Sequence, residues 1–124
     1  MSKVYETPFS AAEQQFLVSK LFRYHTVDSC HIWYGSTNLD GYAIIKVMFR
    51  GKRQTFTVHR LQYFLANNCA FSDHSYHVSH LCHKKLCINI EHLSLEPGHI
   101  NVERNTCKNL RACKGHDGFK NCIF

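Results

Sequence analysis

Apolar residues near the N-terminus recur at the spacing of a helix. Ser10-Ala-Ala-Glu13 has the form of a capping box, which marks the start of a helix. Leu17, Leu21 and Tyr24 follow at intervals that place them on one face. We therefore expect a packing helix near the N-terminus.

The next part of the chain alternates with the two-residue period of β-strands. Residues 31–34 (His-Ile-Trp-Tyr) predict a short strand. In residues 42–50, alternate positions share one apolar face: Ala43, Ile45, Val47 and Phe49. Gly51-Lys52 predicts a tight hairpin turn, and residues 53–58 predict the partner strand. The pattern indicates a two-stranded antiparallel ribbon.

Beyond the ribbon, the pattern predicts a helix, two short strands and a last helix. Residues 59–66 predict a helix with three inward side chains: Leu61, Phe64 and Leu65. Residues 77–81 and 92–95 read as strands, and a helix is expected to begin after residues 96–98 (Glu-Pro-Gly). We expect one domain with four parts: an N-terminal helical segment (1–29), a ribbon with its helix (30–68), a strand–loop–strand–helix unit (77–106) and a C-terminal loop (107–124).

Composition adds a class of partner and a compartment. The chain has 124 residues and a formal charge of +6, which stays positive if six thiolates bind two Zn²⁺ ions. A basic surface favours a polyanionic partner. There is no apolar run near the roughly 20 residues that a membrane span requires, and no secretory leader pattern. We therefore expect an intracellular protein without a membrane partner.

The spacing of cysteine and histidine predicts two metal clusters. Cys82-x4-Cys87-x4-His92 supplies three ligands of a tetrahedral zinc site. Three residues remain open as the fourth ligand: Cys30, Cys69 and His83. A second set of four ligands falls within 16 residues: Cys107, Cys113, His116 and Cys122. Closed sets of four ligands are typical of structural zinc, so we expect chelation to unfold the C-terminal third.

His80 and Asn101 remain after the clusters are assigned. The strand, loop, short strand and helix would bring them together over one edge, with His80 and Cys82 pointing the same way from their strand. A histidine can act as a general base, and an amide oxygen can bind Mg²⁺. Phosphodiester hydrolysis requires groups of both kinds. The alternative is that His80 caps the zinc cluster and Asn101 is a helix-capping residue.

The motifs in this region resemble those of the His-Cys box homing endonucleases, a branch of the ββα-metal (His-Me finger) nucleases. The resemblance lies in Ser79-His-Leu-Cys-His, then Cys87, His92-Leu, Asn101 and Arg104-Asn105-x-Cys107. It extends from about Thr57 to Cys107 and more loosely to Cys122. It implies an α+β fold: a small zinc-stapled domain with an antiparallel β-ribbon and a ββα-metal motif. The implied activity is Mg²⁺-dependent hydrolysis of double-stranded DNA.

The resemblance also implies roles for individual residues. His80 would be the general base, and Asn101 would be the side-chain ligand of a single Mg²⁺. Cys30 would complete the first zinc site. Arg53, with Arg50 as second choice, would contact the scissile phosphate. Asn105 would support Asn101.

Basic residues on the ribbon suggest how DNA would be bound. A two-stranded ribbon fits the major groove of duplex DNA. The candidate DNA contacts are Lys46, Arg50, Lys52, Arg53 and Arg60. Solvated edge charge is the alternative for these side chains.

Two broader expectations remain. A well-characterised member of the family forms a dimer through a C-terminal arm, which has no counterpart after Cys122, so homodimer and monomer both stay open. A DNA substrate suits a protein with access to the nucleus. The rival function is a non-catalytic zinc module that binds nucleic acid or a protein; it explains the clusters and the charge, but not His80 and Asn101.

Overall fold

A computed structural model describes residues 9–67 and 76–124. Its helices are α1 (Ala11–Val18), α2 (Val58–Asn67) and α3 (Gly98–Leu110). Its strands are β1 (Tyr24–Val27), β2 (Cys30–Trp33), β3 (Ile44–Phe49), β4 (Lys52–Thr57), β5 (Tyr76–His80) and β6 (Leu93–Pro97), with a 3₁₀ turn at Ile90–His92. Within these residues the strands form three antiparallel pairs, β1–β2, β3–β4 and β5–β6. The predicted α+β class is confirmed.

Helix α1 begins with the predicted capping box but ends earlier than expected. The Ser10 hydroxyl accepts a hydrogen bond from the Glu13 amide, and the Glu13 carboxylate accepts one from the Ser10 amide. The Ser19 hydroxyl donates to the Phe16 carbonyl at 2.6 Å, a local bond that competes with further helical turns. The helical placement of Tyr24 was therefore wrong, because this residue opens β1.

The β3–β4 ribbon forms as predicted, with its turn one residue earlier. Phe49 pairs with Lys52, so Arg50 and Gly51 are the two turn residues, and their φ angles are +50° and +77°. Two successive positive φ angles define a type I′ turn, in which glycine favours the second position. The turn predicted at Gly51-Lys52 was therefore displaced by one residue. The apolar face packs inward as predicted.

Helix α2 lies at the centre of the molecule. It contacts α1, β4, β5, β6 and the 3₁₀ turn. Its side chains Val58, Leu61 and Phe64 are buried, while Leu65 packs against the core from a partly buried position. Other buried core residues come from every strand pair and include Trp33, Ile45, Phe56, Val78 and Leu93. The core therefore joins the ribbon to the β5–β6 pair.

The β5–β6 pair and α3 form a compact ββα unit. His80 pairs with Leu93 at the end of the hairpin that the connecting loop closes, and α3 packs against both strands. Residues 81–92 form the connecting loop. Strand β5 ends at His80 and Cys82 lies in a turn, so the expected strand alternation between these two residues does not apply. No helix in the described part of the chain is long and apolar enough to cross a lipid bilayer.

Candidate metal centres and active site

The first metal cluster joins strand β2 to the loop between β5 and β6. Cys30 comes from β2, Cys82 from a turn of the loop, Cys87 from a loop residue bridged to Ile32, and His92 from the 3₁₀ turn. Their ligand atoms all lie within 4.8 Å of one another. The Nδ1 atom of His92 lies 3.5 Å from the sulfur of Cys30 and 3.4 Å from that of Cys87.

Cys30 thus takes the fourth position that the sequence left open. His83, the second alternative, is not part of the cluster; its ring packs against Phe124 with centroids 5.2 Å apart. Cys69, the third alternative, lies outside the described residues.

The second metal cluster closes the C-terminal segment onto α3. Its ligand atoms belong to Cys107, Cys113, His116 and Cys122, and they too lie within 4.8 Å of one another. The Nε2 atom of His116 lies 3.4–3.6 Å from all three sulfurs. Its Nδ1 atom lies 2.9 Å from the carboxylate of Glu103. A carboxylate on the far nitrogen fixes the ring orientation, as is common for metal-binding histidines.

Both clusters fit tetrahedral zinc in distance and in chemistry. Zn–S and Zn–N bonds of about 2.3 and 2.0 Å place sulfur and nitrogen about 3.5 Å apart across a tetrahedron. The observed sulfur–nitrogen distances of 3.4–3.6 Å match this value. Three cysteines and one histidine close each set, which is typical of structural zinc.

One cysteine of each cluster is predisposed to be a thiolate. Hydrogen bonding from Cys82 lowers the pKa of Cys87 to about 4. The backbone amide of Cys122 lies 3.3 Å from the sulfur of Cys113 and lowers the pKa of Cys113 to about 6. The thiolate is the form that binds metal, so the fold prepares both sites for a cation.

His80 and Asn101 lie outside the metal clusters of the described residues and line one cavity of about 150 Å³. His80 is the last residue of β5, and Asn101 lies in the first turn of α3. The packing of α3 on the strand pair thus brings together two residues 21 positions apart. The other lining residues are Tyr42, Ser79, His83, Lys85, Arg104, Asn105 and Lys108.

Aromatic rings enclose His80. The ring centroid of His59 lies 4.4 Å from that of His80, and the ring of Tyr42 is stacked at 6.0 Å. Burial lowers the pKa of His80 to about 4, and the neighbouring Cys87 offsets part of this shift. Burial also lowers the pKa of His59 well below its ordinary value. Sequence reasoning missed His59, because nothing in its helical pattern indicates contact with β5.

The amide of Asn101 is held by the neighbouring strand. Its Nδ2 group donates to the Ser79 hydroxyl at 2.7 Å. This bond directs the nitrogen into the protein and leaves the amide oxygen for the cavity. An oxygen in a small polar cavity suits Mg²⁺, which prefers oxygen ligands and retains several waters. The residues present therefore fit such an ion.

The cations that line this cavity differ from those predicted. Lys85 lies over the Tyr42 ring, with its Nζ 5.1 Å from the centroid, and donates to the Asp40 carbonyl at 2.9 Å. Lys108, an exposed residue of α3, also lines the cavity. Arg104, for which no role was predicted, also lines the cavity and is almost fully buried.

The two ribbon arginines do not reach the cavity. Arg53 pairs with Met48, four positions and about 14 Å along the ribbon from its Ile44–Thr57 end. Arg50 forms a two-bond ion pair with Glu13, at 2.8 and 2.9 Å, and lowers the pKa of Glu13 to about 2. Neither arginine lines the cavity that holds His80 and Asn101, so the contact of Arg53 or Arg50 with the scissile phosphate stays a prediction. Residue numbers alone did not reveal this distance. Residues next to a hairpin turn lie at the opposite end of the ribbon from the residues that enter and leave it.

Of the side chains predicted to contact DNA, three on the ribbon are exposed, and one is held by contacts within the protein. Lys46, Lys52 and Arg53 are exposed on the ribbon. Arg60 is half-buried, lies over the Phe64 ring at 5.2 Å and donates to a backbone carbonyl, and burial lowers its pKa. The predicted supporting residue Asn105 lines the cavity one helical turn beyond Asn101.

Comparison with known families agrees with this geometry. Residues 29–122 match the family described as the zinc-binding loop region of homing endonuclease. The match spans both metal clusters and the intervening ββα unit, and the chain belongs to this family, as its motifs predicted. Comparisons with curated proteins and with solved structures find no significant match. Family membership indicates a nuclease-like function and two structural zinc sites.

Proposed function

We propose that this protein is a Mg²⁺-dependent DNA endonuclease that hydrolyses phosphodiester bonds at the cavity between β5 and α3. One observation carries the proposal: His80 and Asn101 line the same cavity, and neither belongs to a metal cluster of the described residues. A purely structural zinc module requires no such pairing. The family match and the positive net charge support the same conclusion.

In this proposal His80 is the general base. A neutral imidazole can accept the proton of a water molecule that attacks the phosphorus atom. The surrounding rings of His59 and Tyr42 fix the His80 ring in one position. Because they also bury it, the ring stays neutral near pH 7.

Asn101 would bind the catalytic cation through its amide oxygen. When bound, Mg²⁺ neutralises charge on the phosphate and on the leaving 3′ oxygen. A single amide oxygen is a weak ligand, so firm binding would require phosphate oxygens of the substrate as further ligands. The zinc clusters would serve only to hold the loop and α3 in place.

The basic residues would contact the DNA in two places, at the cavity and along the ribbon. Lys85 and Lys108 at the cavity would neutralise the phosphate that is cut. Lys46, Lys52 and Arg53 on the ribbon would contact the DNA backbone farther along the duplex.

The test is cleavage of a supercoiled plasmid by the zinc-loaded protein with and without added Mg²⁺. We expect His80→Ala to slow cleavage by about 100- to 10,000-fold, since this is the usual contribution of a general base. His77→Ala is the matched control, because His77 is an exposed histidine of the same strand. Zinc content and DNA affinity should be equal in the two variants.

Two results would overturn the proposal. Undiminished cleavage by His80→Ala would remove the assigned base. Absence of wild-type cleavage with every divalent cation tried would instead support the rival function, a zinc module that binds nucleic acid or protein without cutting it.

A further inference from the structure

Asn101 stands at one end of a buried chain of polar side chains. Its Nδ2 group donates to the Ser79 hydroxyl at 2.7 Å, and hydrogen bonding from the Ser79 side chain helps to lower the pKa of the Glu96 carboxylate. Arg104 forms a two-bond ion pair with that carboxylate, of which the Nη2–Oε2 bond measures 2.8 Å. Ser79, Glu96 and Arg104 are 2%, 0% and 2% exposed, so water does not compete for these bonds.

The far end of the chain is fixed at the second metal cluster. The Arg104 guanidinium donates to the Cys122 sulfur at 3.3 Å and to the Lys120 carbonyl at 2.8 Å. The Cys122 sulfur is one of the four ligand atoms of that cluster. The side chains Asn101, Ser79, Glu96, Arg104 and Cys122 thus form one continuous series, which we term the polar chain.

The number of protons in the polar chain determines which way the amide of Asn101 faces. A serine hydroxyl has one proton to donate and lone pairs to accept with. The ionised Glu96 carboxylate has no proton and can only accept, so the Ser79 proton must point to Glu96. Ser79 then offers only lone pairs to Asn101, and the amide must present its NH₂ group rather than its oxygen.

We propose that Ser79 and Glu96 are positioning residues that hold the Asn101 amide with its NH₂ group inward and its oxygen facing the cavity. Arg104 maintains this order because it keeps Glu96 ionised and fixes it relative to the second cluster. The role of Asn101 as a metal ligand rests on the proposed function, whereas the orientation of its amide does not. A reversed amide would present two N–H donors to a cation and would repel it.

The most selective test replaces Ser79 and leaves the Glu96–Arg104 ion pair intact. Removal of Glu96 or Arg104 would leave a buried charge without its partner and would endanger the whole fold. Ser79→Ala removes the acceptor for Asn101 but leaves Glu96 bonded to Arg104 and Ser94. Ser94→Ala is the matched control: Ser94 pairs with Ser79 across the strands and also bonds to Glu96, yet it has no bond to Asn101 among the described contacts.

The first measurement is nuclear magnetic resonance of the Asn101 side-chain amide in the zinc-loaded protein without DNA or Mg²⁺. We expect two separated, slowly exchanging amide protons in the wild type and in Ser94→Ala. In Ser79→Ala we expect faster exchange with water and a smaller separation. Identical amide signals in all three proteins would overturn the proposed positioning, whether or not the protein cuts DNA.

The second measurement is the Mg²⁺ concentration that gives half-maximal plasmid cleavage. Loss of a residue that orients a metal ligand typically costs about 10- to 100-fold in metal affinity. We expect an increase of that size for Ser79→Ala and none for Ser94→Ala, with DNA affinity in the absence of added Mg²⁺ unchanged for both. An equal Mg²⁺ requirement in the two variants would overturn the role of Ser79 at the metal. A wild type that never cleaves would refute the proposed function alone.

Discussion

Lys85 is held at the candidate active site by a hydrogen bond and a ring contact. Its ammonium group bonds to the Asp40 carbonyl and lies over the Tyr42 ring, which is itself stacked on His80. These contacts fix the charge beside the cavity before any substrate arrives. A charge that needs no reorganisation stabilises a transition state more effectively than a mobile one.

The proposed function therefore predicts that substitutions of two basic residues change different kinetic constants. Lys85→Ala should lower kcat by about tenfold or more, because it removes a preorganised charge at the reacting phosphate. Arg53→Ala should raise KM and reduce the salt dependence of DNA binding with kcat little changed, because its contact is with distant backbone phosphate. Steady-state cleavage of a short duplex at several salt concentrations distinguishes them. A loss of kcat in Arg53→Ala alone would return the catalytic role to the ribbon.

Individual residues differ in how far the sequence could identify them. The zinc ligands, His80 and Asn101 are chemically distinctive and follow a recognisable spacing, so they could be named in advance. Ser79, Glu96 and Arg104 are common residue types whose importance comes from being buried together. Burial of a charged pair has no periodic signature. The available hint was that Glu96 and Arg104 flank Asn101 along the chain.

The ribbon turn shows a limit of pattern reading for secondary structure. The alternation of apolar residues predicted both strands, but a glycine at position 51 suits either the first or the second residue of a two-residue turn. Phe49 is buried and Lys52 is exposed, and their pairing places Arg50 and Gly51 in the turn. The same limit explains helix α1, where Tyr24 fits a helical face although the chain turns after Val18.

Gly51 should contribute to stability through its backbone conformation. Its φ is +77°, and a Cβ atom added there would meet no atom within 4 Å, so Gly51→Ala would be strained without a steric clash. We expect a loss of about 1 kcal/mol in the free energy of unfolding, measured by urea denaturation. Lys52→Ala in the adjoining strand is the control. Equal stability of the two variants would contradict the assigned turn.

The zinc clusters join segments that the hydrophobic core alone does not hold. The first cluster fastens β2 to the loop after β5, and the second fastens residues 113–122 to the end of α3. Large buried apolar side chains are concentrated before residue 101, whereas Cys107 and His116 are the buried residues that follow Arg104 in the described chain. A metal ion bound at the second cluster would therefore take the place of a core in the C-terminal segment.

Chelation should accordingly unfold the C-terminal part first. Metal-binding free energy is folding free energy in loops of this kind, and acidification should act in the same direction because protonated thiols release zinc. Limited proteolysis and circular dichroism, followed as a chelator is added, would report new cleavage sites after residue 101 and loss of helix α3. An unchanged digestion pattern after complete zinc removal would contradict the structural role of the metal.

The whole molecule can be viewed as a scaffold that presents one imidazole and one amide across a small cavity. Family resemblance and residue spacing predicted the α+β class, both zinc clusters and this pairing. The position of the ribbon relative to the cavity could not be predicted, because it depends on how α2 packs between the two strand pairs. Arg53 does not line the cavity, whereas Lys85 on the connecting loop and Lys108 on α3 do.

The most direct test is a crystal structure of the zinc-loaded protein bound to DNA with Mn²⁺ in place of Mg²⁺, with anomalous scattering used to locate each metal. The account predicts two zinc peaks at the clusters and a Mn²⁺ peak about 2.1–2.2 Å from the Asn101 amide oxygen, with a phosphate between it and His80. A Mn²⁺ ion bound elsewhere, or a zinc ion bound by His80, would contradict it.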